Sequence, residues 1–136
     1  MNPREITRQG GTFAVVGAVA TAAHLAAALA AREIAGLAPL IANFCGYACA
    51  VSISYLVNAR LTFRTRAADA GQAARFLVTS LGVLAFNQGL VWLLVERGGW
   101  DFRWAMGPVV VGSPILSFAI SKLWAFRARA ETADAG

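Results

Sequence analysis

Residues 34–59, IAGLAPLIANFCGYACAVSISYLVNA, contain no Asp, Glu, Lys or Arg. A helix rises ~1.5 Å per residue, so about 20 residues cross a hydrocarbon core ~30 Å thick. The stretch is long enough, and it lacks the polar face that a soluble bundle helix shows every three or four residues. Three more charge-free stretches lie around it, at 9–31, 76–95 and 104–121. The whole chain of 136 residues is 58% hydrophobic and 14% charged, where soluble domains carry roughly a quarter charged residues. The expected fold is an all-α integral membrane protein with four transmembrane helices. The spans are expected at about 11–31, 38–59, 76–95 and 104–122. They form one transmembrane domain, 9–128, followed by a mobile cytoplasmic tail, 129–136.

The charges sit between the spans. Segments 1–8, 60–75 and 122–136 hold nine Lys and Arg, and the connections at 32–33 and 96–103 hold three. Cations near span ends mark the cytoplasmic side, so both termini and the central linker 65–74 are expected inside. The net charge of +5 therefore reports orientation, and no motif points to nucleic acid. The first apolar stretch reads as a span and not as a cleaved signal peptide. Gly36 and Pro39 open the second span, Pro being tolerated in a first helical turn, and Gly98–Gly99 breaks the chain after the third. Cys45 and Cys49 lie within one span with no His or carboxylate beside them, so they read as packing residues, with neither a disulfide nor a metal site.

The two halves resemble each other at a displacement of 63 residues. Phe13 matches Phe76, Glu33 matches Glu96, Gly36 matches Gly99 and Ser54 matches Ser117. Each half holds an even number of spans, so both would insert the same way up, as two parallel-repeat helical hairpins about an axis along the membrane normal.

Within the spans the notable polar groups are neutral: His24, then Asn87 with Gln88, and the serines Ser113 and Ser117. His24 and Asn87 occupy equivalent repeat positions. They either hydrogen-bond between helices, at about 0.6 kcal/mol each, or line a polar path near the midplane. Ala42, Gly46, Ala50, Ser54 and Asn58 form a small-residue stripe on one helix face, and Ser113, Ser117 and Ser121 form another. Such stripes let helices approach closely, within one chain or in a homodimer. Pro114 removes a backbone hydrogen bond in the fourth span and should kink it near Val110, a hinge or a static bend.

The cytoplasmic ends of spans two and four read Asn58-Ala59-Arg60-Leu61-Thr62-Phe63-Arg64 and Ser121-Lys122-Leu123-Trp124-Ala125-Phe126-Arg127. Aromatics beside cations anchor helices at headgroup depth. The same cations can grip a lipid phosphate, Arg through a bidentate fork and Lys as a point charge. Asn58, Arg60, Arg64, Lys122, Trp124 and Arg127 are thus candidate lipid-phosphate and sugar ligands.

Several motifs, in order, resemble the GtrA-like family: Phe13-x-x-x-Gly17-x-x-x-Thr21, Asn58-x-x-x-Thr62-Phe63, Arg75-Phe76 with Asn87, and Lys122-x-Trp124-x-Phe126. The likeness covers roughly 11–128 and departs at His24, where relatives often carry an acidic or amide residue. It implies a protein of the bacterial cytoplasmic (inner) membrane that flips polyprenyl-phosphate-linked sugars for cell-surface polysaccharide or glycan synthesis. The alternative is a noncatalytic anchor or regulatory partner of a glycosyltransferase. A small exporter of unrelated solutes is weakened by the lack of an intramembrane acid. No paired carboxylates, nucleophile–base pair or metal cluster suggests an enzyme, and no cofactor is expected. Expected partners are the lipid-linked sugar, membrane lipids, a glycosyltransferase and a second copy of the chain.

Overall fold

A computed structural model describes the backbone of residues 3–62 and 70–134. The described residues form four long helices, α1 (Pro3–Glu33), α2 (Pro39–Thr62), α3 (Ala70–Val91) and α4 (Phe102–Asp134). A π-helical segment, Trp92–Arg97, extends α3. All four are long and apolar enough to cross a membrane, over Ala14–Glu33, Pro39–Val57, Ala74–Arg97 and Phe102–Ile120. Helix is the natural outcome in hydrocarbon, where each backbone N–H and C=O must find a partner within its own segment. The helices overrun the expected spans. α1 begins at Pro3, and α4 continues through the tail as far as Asp134.

α1 packs mainly along α2, α3 along α4, and α2 also meets α3. The tightest approach is at Gly46, where a Cβ would lie 2.5 Å from the carbonyl oxygen of His24 and 2.7 Å from Cβ of Ala28. Ala42, Gly46 and Ala50 are buried, so this part of the small-residue stripe is used within the chain, with α1 seated on it. Lipid tails are as apolar as leucine, and the gain comes from van der Waals contact at close range.

Two turns have the same construction. After α1, Gly36 has φ +64°, and after α3, Gly99 has φ +67°. The Ala35 amide bonds the Ala30 carbonyl at 3.3 Å and Leu37 bonds Ala31 at 3.1 Å. At the positions 63 residues on, Gly98 bonds Leu93 and Trp100 bonds Leu94, both at 2.9 Å. Glycine is required because a Cβ makes this left-handed conformation costly. The glycine match noticed in the sequence is thus a match of backbone geometry.

Packing is uneven along the bundle. The apolar core, Ala28, Ala42, Val91, Phe102, Met106 and Val109, gathers toward the end that carries these two turns. Toward the other end, no described residue beyond Ala20, Ala50, Val83 and Val109 is buried. Val15, Val19, Leu77, Leu81, Ile115 and Phe118 stand exposed there, as lipid-facing residues do. At the packed end the Arg103 guanidinium pairs with Glu33, joining the start of α4 to the end of α1. Asp101 accepts the Arg103 amide at 2.9 Å and caps α4. Arg97 lies 5.4 Å from the centre of the Trp92 ring.

Candidate functional site: a neutral polar layer across the bundle

At the border between the packed and the loosely packed halves, polar side chains from all four helices gather in two hydrogen-bonded groups. His24, Asn43 and Asn87 are the buried polar residues among those described. Gln88 donates through Nε2 to the Leu40 carbonyl at 3.0 Å. A carbonyl only accepts, so this bond fixes which way the Gln88 amide faces. Its Oε1 then accepts from Nδ2 of Asn43 at 2.8 Å. Oδ1 of Asn43 is left to accept from His24 Nε2 at 3.0 Å. The direction of the chain therefore requires a proton on Nε2 of His24. The ring edge also meets Tyr47, with centroids 5.9 Å apart, and the Tyr47 hydroxyl donates to the Ser80 carbonyl at 2.7 Å.

The second part of the layer joins α3 to α4. The Ser113 hydroxyl lies 2.9 Å from Oδ1 of Asn87 and 2.8 Å from the Val109 carbonyl. It has one proton for two acceptors. Meanwhile Nδ2 of Asn87 is buried with no partner. Turning the amide over would let Nδ2 donate to the Ser113 oxygen and let the hydroxyl proton go to Val109. Oδ1 would then be the unpartnered atom. In either arrangement one buried amide atom of Asn87 lacks a hydrogen bond, at a cost of about 1–3 kcal/mol.

The structure thus brings His24 and Gln88 together through Asn43, and Asn87 together with Ser113. His24 bonds Asn43 and not its repeat counterpart Asn87. Ser117 lies half-buried one turn further along α4. Pro114 sits within α4, which remains helical across both Pro108 and Pro114. Having no N–H, Pro114 leaves the Val110 carbonyl without its usual donor.

Asn43, the hub, escaped the sequence reading. Its signal was available, since an amide in a charge-free span beside the small-residue face must find an interhelical partner. Neither Asn43 nor Gln88 has a polar residue at the position 63 residues away, where Met106 and Leu25 stand.

The basic and aromatic candidates fall elsewhere. Asn58, Arg60, Lys122, Trp124 and Arg127 lie on helical backbone, and their side chains are outside the described residues. Arg64 is outside them altogether. Cys45 is half-buried and Cys49 exposed, and no group of His, Cys, Asp or Glu among the described residues is arranged to hold a metal.

Comparison with curated proteins and with solved structures finds no significant match. A family model described as the GtrA/DPMS transmembrane domain matches residues 12–126. The chain therefore belongs to the GtrA/DPMS transmembrane family and is a multi-pass membrane protein of lipid-linked sugar pathways.

Proposed function

We propose that this protein moves polyprenyl-phosphate-linked sugars across the bacterial cytoplasmic membrane, supplying cell-surface polysaccharide or glycan assembly, with no catalysis of its own. The observation that carries this reading is the neutral polar layer, with hydrogen-bonding groups from four apolar helices at one depth. A sugar head leaving water loses several kcal/mol for each polar group left unpaired in hydrocarbon. A transporter must offer replacement partners at mid-depth while the isoprenoid tail stays in lipid.

Both termini and the 65–74 linker face the cytoplasm in this scheme, and the two hairpins are parallel repeats. The matched turns and the distribution of cations support that arrangement. The loosely packed half then opens toward the side where lipid-linked sugars are made. Arg60, Arg64, Lys122 and Arg127 collect the phosphate there, beside Asn58 and Trp124. His24, Asn87, Gln88, Ser113 and Ser117 line the path, and Pro114 lets α4 bend.

The test is reconstitution into liposomes with a polyprenyl-phosphate sugar labelled in one leaflet. Purified protein is expected to speed its exchange between leaflets. Asn58→Ala, Lys122→Ala and Pro114→Ala should each slow exchange while the protein still inserts. Exchange no faster than in empty vesicles would overturn the proposal.

One observation favours a second reading, a membrane anchor for a glycosyltransferase. The chain from His24 to the Leu40 carbonyl is fully paired, as static packing requires. Crosslinking to such an enzyme, without lipid exchange, would establish it.

A further inference from the structure

The unpartnered amide atom of Asn87 carries information about what the layer receives. With Oδ1 toward Ser113, the free atom is a donor, Nδ2. With the amide reversed, Ser113 passes its proton to Val109 without competition and the free atom is an acceptor. A hydroxyl can satisfy both arrangements, because it both donates and accepts. A carboxylate only accepts. It fits only the arrangement in which Ser113 serves two acceptors with one proton, and Oδ1 repels it in the other. The rest of the layer gives an anion no compensation, since residues 9–31, 34–59, 76–95 and 104–121 hold no cation apart from what His24 could acquire. The direction of its hydrogen bonds commits His24 Nε2–H to Asn43.

We propose that Asn87, seated by Ser113, is a hydroxyl-recognition site that selects lipid-linked sugars with a neutral head and discriminates against acidic sugars. The inference rests on the transport reading above and adds a specificity-determining residue to it. The lipid phosphate already brings one negative charge past this layer. A uronic acid would bring a second to a region with no countercharge.

The experiment uses the full chain in nanodiscs and three ligands: citronellyl phosphate, its glucosyl ester and its glucuronosyl ester. Binding is measured at a pH where the uronic acid is ionised. The glucosyl lipid is expected to bind at least about tenfold more tightly than the glucuronosyl lipid. Asn87→Leu removes the hydroxyl partner and should weaken binding of the glucosyl lipid, narrowing the preference to the part set by the missing countercharge, with thermal unfolding and elution profile reporting whether the variant is folded. Equal binding of the two sugar lipids by the unaltered protein overturns this inference alone. Glucosyl-lipid binding that is not weakened in a folded Asn87→Leu protein also overturns it. If neither sugar lipid binds more tightly than citronellyl phosphate, the transport reading loses its support as well.

Discussion

At the residue scale, Gly46 and Asn43 do different work on neighbouring faces of α2. Gly46 allows contact: a side chain there meets His24 backbone and Ala28 at under 3 Å, and neither can swing away. Gly46→Leu should therefore cost about 1–3 kcal/mol of stability in detergent unfolding, the usual range for overpacking. Gly82→Leu provides the comparison, because a Cβ there meets nothing within 4 Å. Equal losses at the two sites would mean that α1 does not rest on Gly46. Asn43 instead supplies direction, bonding His24 on α1 and Gln88 on α3. Asn43→Leu strands a donor and an acceptor, at about 1–3 kcal/mol. In a double-mutant cycle with His24→Leu, the combined loss should fall short of the sum of the single losses, since both remove one shared bond. Strict additivity would show that the two residues do not interact.

At the element scale, the two turns are where the two halves of the chain agree most closely in backbone geometry. Both close a helix with the same pair of backbone bonds and a glycine of positive φ. Alanine in that conformation costs roughly 1–2 kcal/mol. Gly36→Ala and Gly99→Ala should lower stability by similar amounts, measured by unfolding under one set of conditions. A large effect at one and none at the other would break the equivalence. The helices between the turns agree less. Leu25 and Met106 stand where a perfect copy of Gln88 and Asn43 would put amides. The layer is consequently asymmetric, with a three-residue chain on one side and the Asn87–Ser113 pair on the other.

At the scale of the whole molecule, apolar packing is concentrated toward the two matched turns, and the opposite half exposes most of its surface. In a membrane that difference is not penalised as it would be in water, because exposed leucine and valine meet lipid. It leaves the polar layer as the floor of the less packed half. The orientation proposed above makes a direct prediction. A cysteine placed at Ala67, in a background with Cys45 and Cys49 replaced by Ala, should react with a membrane-impermeant thiol reagent only after the cytoplasmic face is opened. A cysteine at Gly98 should react in intact cells. The reverse pattern would invert the whole scheme and place the loosely packed half outside.

The amino-acid sequence by itself determined the membrane fold, the number of spans and the glycines between them. Each of these follows from local quantities: charge-free length and a backbone conformation that only glycine adopts cheaply. His24, Asn87, Gln88 and Ser113 were also legible as polar groups in apolar surroundings. Their pairing was not. Hydrogen-bond partners on different helices depend on rotation and depth, which spacing along one helix does not specify, so Asn43 passed unnoticed until α1 and α3 were placed against α2. Only the tertiary structure decided that His24 reaches Gln88 through an amide, that Ser113 meets Asn87, and that one buried atom is left over.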